Sequence, residues 1–222
     1  MTTRTLARTL ALVAALAAAL ADASRAGAQL IKVPALDESH RPLSVSVHLG
    51  FLQTQDRFDG QSGSQWDLGE ALQYRAALEY GTKSGSIALV GSLANLPIAR
   101  SGGTATGFSD GTIQLRQYLA AFRTPETEGA HQIVDVGVGL SQWTAYSGTD
   151  ALTADERKAR NAFSLIVGYG FGFTLGNRAA FNMVQDVATL WGSKDGLPSG
   201  RARMVRQYTT RVGVRVLLRG QR

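Results

Sequence analysis

Residues 204–219, MVRQYTTRVGVRVLLR, carry the pattern that decides the fold. Met204, Tyr208, Val212, Val214, Val216 and Leu218 share one parity, while Gln207, Thr209, Arg211, Gly213, Arg215 and Arg219 share the other. A side-chain period of two is that of a β-strand whose two faces meet different phases. The same period recurs upstream, so the chain reads as all-β.

Working back from this stretch, seven further strands are predicted. Leu43–Gln53 sets Leu43, Val45, Val47, Leu49 and Phe51 against Ser44, Ser46, His48 and Gly50. Trp66–Tyr80 sets Leu68, Leu72, Tyr74, Ala76, Leu78 and Tyr80 against Gln73, Arg75 and Glu79. Ser86–Ala94 puts Ile87, Leu89 and Leu93 on one face, although Ala88 and Val90 opposite them are also apolar. In Thr112–Phe122 the apolar face is Ile113, Leu115, Leu119 and Ala121, with Gln114, Arg116 and Tyr118 opposite. His131–Gln142 alternates Val134, Val136, Val138 and Leu140 with Asp135, Gly137, Gly139 and Ser141. Asn161–Thr174 alternates Phe163, Leu165, Val167, Tyr169, Phe171 and Phe173 with Ser164 and three glycines, and Arg178–Leu190 sets Phe181, Met183 and Val187 against Asn182 and Asp186.

The turn formers between these segments divide into long connections (54–65, 95–111, 143–160, 191–203) and short ones (81–85, 123–130, and the tight Leu175-Gly176-Asn177), which alternate along the chain. Inside the third long connection, Thr153 with Glu156 has the form of a capping box and predicts a short surface helix. Short turns at one end and long loops at the other are those of an up-and-down barrel inserted in an outer membrane.

The first 28 residues support export. Arg4 and Arg8 precede an uncharged apolar run, Leu10–Ala21, and Ala26-Gly27-Ala28 supplies small residues at a cleavage site, which together read as a secretory signal. Residues 29–42 form a polar periplasmic lead-in, and 43–222 the barrel domain. Removing residues 1–28 takes away Arg4, Arg8, Arg25 and Asp22, so 23 basic and 17 acidic side chains become 20 and 16, and the net charge falls from +6 to +4. A balance this mild and dispersed excludes nucleic acid as a partner. The chain has no cysteine, which excludes disulfides, thiolate metal sites and a lipid anchor on an N-terminal cysteine. Past the signal no apolar run nears the ~20 residues of a spanning helix.

Alternation alone leaves open which face points inward, since a soluble lipocalin-like barrel binding an apolar ligand would bury its apolar side. A water-facing surface would carry abundant Lys and Glu, whereas the polar face here is rich in Gly and Ser, including Gly50, Gly137, Gly168, Ser44, Ser46 and Ser141. Small residues suit a narrow lumen. The charged residues of that face, Arg75, Arg116, Arg211 and Arg215 with Glu79, Asp135 and Asp186, and His48 beside them, are therefore expected to pair in a network that plugs the lumen. Tyr80, Trp143, Trp191 and Tyr208 near strand ends are expected to form the aromatic girdle at the membrane interfaces.

Between Leu43 and Leu218 the chain thus resembles, in pattern, the small outer-membrane barrels of the OmpA and OmpX kind. The resemblance implies an eight-stranded antiparallel up-and-down transmembrane β-barrel with outer-membrane lipids, lipopolysaccharide and the export and barrel-assembly machinery as partners, acting as a monomer without catalytic residues, cofactor or metal. It implies a role in envelope integrity, adhesion or loop display. Family members end on an aromatic residue, whereas this chain runs Leu217-Leu218-Arg219-Gly220-Gln221-Arg222 and shows no peptidoglycan-binding domain after the barrel. Deacylase barrels of this size use His-x-Ser with a nearby Glu; Ser46-Val47-His48 has the reverse order, with Glu79 as a third member, and leaves a lipid-modifying enzyme as the alternative. Asp56, Asp59, Asp110, Asp150 and Asp155 match no calcium motif and read as solvated loop charges. Gly168-Tyr169-Gly170-Phe171-Gly172 lacks the strand-to-helix turn of a phosphate loop and reads as small lumen residues in a strand.

Overall fold

The computed structural model describes residues 42–59, 63–82, 84–148, 152–154, 157–175, 178–192 and 204–219. The signal segment 1–28, the lead-in to residue 41, Asp150, Asp155, Glu156 of the capping box, Gly176-Asn177, most of the fourth long loop and residues 220–222 lie outside the described residues.

Ten strands follow in order: β1 (Leu43–Thr54), β2 (Arg57–Asp59), β3 (Ser64–Leu68), β4 (Ala71–Thr82), β5 (Gly85–Ser101), β6 (Phe108–Arg123), β7 (Ala130–Ser147), β8 (Arg160–Leu175), β9 (Ala179–Gly192) and β10 (Met204–Arg219). Each long strand pairs antiparallel with its neighbours, β1 joins β10, and the β5–β6 pairing closes the sheet. Eight staves, β1 and β4 to β10, make the barrel. The remaining two build on it: β3 continues the line of β4 beyond Gly69-Glu70 by pairing with Ile98–Ser101, and β2 folds back on β3.

The registers set the barrel's geometry. Following paired residues once round, Val214 leads to Val47, Ala76, Gly91, Tyr118, Leu140, Phe163 and Trp191, and returns to β10 at Met204, ten residues from the start. With a rise of ~3.3 Å per residue and ~4.7 Å between strands, a shear of ten over eight strands tilts them roughly 40° and gives a backbone radius of roughly 8 Å. That width holds side chains and little else.

Burial is inverted relative to a soluble protein. Val47, Leu49, Tyr74, Leu89, Tyr118, Leu140, Phe163, Tyr169 and Val212 are exposed on the outside, whereas Ser46, Glu79, Asp135, Asp186, Asn182 and Arg211 are buried inside. An exposed apolar patch this large marks a surface that meets something other than water. The soluble-barrel alternative, with its apolar face inward, is overturned by this arrangement.

Four expectations about the strands are corrected. Strand two is interrupted at Gly69-Glu70, and Leu68 points inward. Strand three runs on to Ser101 despite Pro97, because in an antiparallel ladder a residue's N–H and C=O face the same neighbour. Pro97 C=O accepts Gly69 N–H at 2.8 Å, so its missing donor falls at the break between β3 and β4. The second long connection thereby shrinks to residues 102–107, no longer than the 124–129 turn. Strand five continues through Trp143 to Ser147 across a bulge: the register skips between Thr112 and Gln114, and Ala145 has φ of 49°. A bulge inserts a residue and breaks period two, which is why the segment reads as loop.

The fourth correction concerns β6, whose faces are reversed. Ile113, Leu115, Leu119 and Ala121 are buried in the lumen, and Arg116 and Tyr118 are exposed outside. The physical reason is that the lumen is apolar toward the loop end, so on this strand the polar parity is not the inner one.

Leu89, 67% exposed, tests the inversion. Leu89→Arg should destabilise the barrel in lipid vesicles by roughly 2–4 kcal/mol, the cost of a cation on the lipid face near the bilayer midplane. Denaturant titration in vesicles measures it. A change within ~0.5 kcal/mol, as at a water-facing position, would rule out a lipid-facing Leu89.

Candidate functional site: the filled lumen

The lumen is layered, and the layers are legible along the strands from the end where β1 begins and β10 ends toward the opposite end, with the 102–107 loop. The inward residues run Arg75, Gln73, Ala71 on β4; Arg123, Gln117, Leu115 on β6; Asp135, Ser141, Trp143 on β7; and Arg211, Gln207, Val205 on β10. On these four strands the named residues pass from charge, through amide or hydroxyl, to hydrocarbon, with Ala121 and Leu119 buried between Arg123 and Gln117 on β6.

Among the described residues the charged layer contains four guanidiniums and four carboxylates. Asp135 accepts from Arg123 Nε at 2.7 Å and Nη2 at 3.0 Å, and from Arg211 Nη2. Arg211, only 1% exposed, also donates through Nε to Asp186 at 2.7 Å, and Arg75 Nη1 reaches the same carboxylate at 3.1 Å. Glu79 Oε1 accepts from Ser46 Oγ at 2.6 Å and Arg123 Nη1 at 3.3 Å, while its Oε2 lies 3.3 Å from Arg215 Nε. Arg215 donates to Ser44 Oγ at 2.8 Å and to Glu126. The layer is neutral as a set, and each acid meets at least one charge-assisted donor, the condition for holding ions away from water.

Two glycines make room for it. A Cβ at Gly168 would stand 2.3 Å from Asp186 Oδ1, and one at Gly213 would stand 2.3 Å from His48 Cδ2. A side chain at either position would push a polar neighbour out of place.

Above the ions, Gln117 is the hub of a neutral layer. Its Oε1 accepts from Gln73 and Ser92, each at 3.0 Å, and its Nε2 donates to Ser141 Oγ at 3.0 Å and Gln207 Oε1 at 3.4 Å. Ser141 continues to Ser164 at 2.5 Å. Beyond it Leu52, Leu96, Ile98, Leu115, Trp143 and Leu190 pack together. The Arg100 guanidinium lies over two further members of this cluster, 4.9 Å from the Trp66 ring and 5.3 Å from that of Phe108.

The expected network residues divide clearly. Arg75, Glu79, Asp135, Asp186, Arg211 and Arg215 come together in the lumen. Arg116 does not: it faces outward and its Nε donates to Gln114 Oε1 at 2.6 Å. His48 lies in the lumen, but neither ring nitrogen has a hydrogen-bond partner among the described residues. Ser46 Oγ donates to Glu79 rather than to His48, so the His48 imidazole of the reversed Ser-x-His set holds no hydroxyl. Of the expected girdle, Tyr80, Trp191 and Tyr208 are exposed on the outside, whereas Trp143 is 3% exposed and belongs to the apolar plug.

Arg123 and Glu126 are the members that sequence reasoning missed, having been placed in a connection. For Arg123 the signal is present in the sequence: it extends the parity of Leu115, Gln117, Leu119 and Ala121, so reading that parity as inward brings Arg123 into the lumen and sends Arg116 out, whereas Glu126 lies beyond β6 and carries no such signal. Among the described residues no group of His, Asp or Glu side chains could hold a metal ion. Outside the spanning segments, Asp56 is held above the ordinary carboxylate value by partial burial and by the charge of Asp67.

Comparison with solved structures gives the fold. The Neisserial surface protein NspA superposes with a TM-score of 0.51 at 11% identity, covering 78% of this chain and 96% of that one. OprG, an outer membrane protein from Pseudomonas aeruginosa, matches at 0.49 and 13% identity over 81% and 96%, respectively. Ail, the attachment invasion locus protein of Yersinia pestis, solved with the heparin analogue sucrose octasulfate, matches at 0.43 and 14% identity over 80% and 99%. No protein-family model matches the chain, and no curated protein matches it. Closed topology, inverted burial and the likeness to NspA together define an eight-stranded antiparallel β-barrel of the outer-membrane type.

Removing one partner of a buried ion pair leaves the other charge unpaired, so Arg211→Met should destabilise the barrel by about 3–5 kcal/mol. Adding Asp186→Leu should recover part of that loss, because both charges of the Arg211–Asp186 contact are then gone. Urea titrations of the single and double variants read the coupling. Strict additivity would show that the two do not act as a pair.

Proposed function

We propose that this protein is a closed outer-membrane barrel whose task is performed by its outer surface and loops rather than by conduction or catalysis: envelope integrity, adhesion, or display of its loop end. The observation that carries this reading is the filled lumen. Among the described residues charged, amide and apolar layers succeed one another with side chains almost fully buried, and a barrel of roughly 8 Å radius has an interior only just wide enough for them. With the short turns, the start of β1 and the end of β10 at one end, the usual orientation places the opposite loops outside and this end toward the periplasm. Residues 1–28 supply the export signal in this reading, and outer-membrane lipid, lipopolysaccharide and the assembly machinery are the partners.

Two measurements test it. Reconstituted protein should give no stepwise conductance in planar bilayers, and a sustained open level would sink the closed-lumen reading. Because the chain has no cysteine, single substitutions report orientation. Thr104→Cys, in the exposed 102–107 loop, should react with a membrane-impermeant maleimide on intact cells, and Glu128→Cys, at the other end, only after permeabilisation. The opposite labelling would overturn the orientation, and with it loop display.

A further inference from the structure

On the outside of β5 to β8 the apolar belt ends abruptly toward the loop end. Leu93, Tyr118, Leu140 and Phe163 are exposed, and two residues further on the same strands stand Asn95, Arg116, Gln142 and Asn161, with Gln114 beside Asn95. Arg116 pairs with Gln142, and Gln142 with Asn161, so these side chains form one row across four adjacent strands. They are tied to one another: Gln114 Nε2 donates to Asn95 Oδ1 at 3.1 Å, Arg116 Nε to Gln114 Oε1 at 2.6 Å, and Gln142 Nε2 to Asn161 Oδ1 at 3.2 Å.

The row orients its single cation. Arg116 is held by Nε, and its two terminal amino groups have no partner among the described residues. Among the described residues no acid bonds to the row: Glu70, beside Pro97 on the neighbouring strand line, accepts from Gln53 Nε2 at 2.8 Å, and Asp110 lies six residues further along β6. A guanidinium presents planar donors to an oxyanion, and phosphate matches them in pairs. The amides alongside offer hydrogen bonds suited to hydroxyls. Set at the top of a hydrocarbon-facing belt, such a row meets lipid headgroups first.

We propose that Arg116, with Gln114, Asn95, Gln142 and Asn161, forms a binding site for the phosphate-bearing sugar headgroup of an outer-leaflet glycolipid. The site rests on the membrane reading above and gives its lipid partner an address on the barrel wall and the headgroup chemistry that is recognised there. Arg206 on β10, exposed on another part of the wall, shares the charge without this amide row and serves as the control position.

The test uses the full chain refolded in neutral detergent, its barrel verified by a shift in gel mobility on boiling, and titrated with bis-phosphorylated lipid A while bound lipid is counted by native mass spectrometry. Arg116→Gln should weaken binding about fivefold, the effect of one basic residue at an anionic surface, and Arg206→Gln less than twofold. Lipid A stripped of its phosphates should bind parent and Arg116→Gln alike. Equal loss in both variants would reduce the effect to diffuse charge and overturn the site, as would an unchanged Arg116→Gln. Displacement by millimolar inorganic phosphate would overturn the assignment to a lipid. A chain that shows no mobility shift fails earlier, at the membrane barrel itself, and the site falls with it.

Discussion

Backbone hydrogen bonding governs this molecule. In hydrocarbon no water pairs with a stranded N–H or C=O, so a sheet crosses a membrane only when closed on itself. Here closure is made by the β5–β6 and β1–β10 pairings, and the shear of ten that closure requires sets tilt and radius. Everything else follows from that radius. A lumen of this width is too narrow to hold bulk water, so any charge pointing inward must find its counter-charge among the other side chains.

The ion layer satisfies this condition across the barrel rather than between neighbouring strands alone. Arg211 on β10 reaches Asp135 on β7 and Asp186 on β9, Arg75 on β4 reaches Asp186, and Arg123 on β6 joins Asp135 to Glu79 on β4. Sliding one strand by a residue would turn its charges toward lipid and strand their partners, so the network opposes register slip more strongly than apolar contacts do. The apolar layer at the loop end has no such directional demand. It tolerates the bulge at Ala145, which turns Tyr146 toward Phe108, with ring centroids 6.2 Å apart.

Legibility followed this division. Where the lumen is charged, the polar parity is the inner one, and Asp135, Asp186, Arg211, Arg215, Arg75 and Glu79 were all found by alternation. Where it is apolar, the polar parity of a strand can be the outer one, as on β6, where Gln114 and Arg116 face out opposite Ile113 and Leu115. Alternation therefore points Arg116 into the lumen and leaves Arg123 in a connection. Trp143 was assigned to the interface for the same reason, an aromatic near a strand end being equally suited to an outer girdle and an inner plug. Pro97 and Ala145, one missing a donor and one adding a residue, hid the true ends of β5 and β7.

The sequence by itself determined the strand number, the antiparallel up-and-down order, the closed barrel and six of the charges inside it, because a period of two with small and charged residues on one face has few physical solutions. Only the tertiary structure decided which carboxylate each arginine meets, that Glu126 and Arg123 complete the layer, and that Arg116 stands outside on an amide row. Those facts depend on the shear, and shear is a property of the closed sheet. Alternation along one strand is indifferent to how far its neighbour has slid.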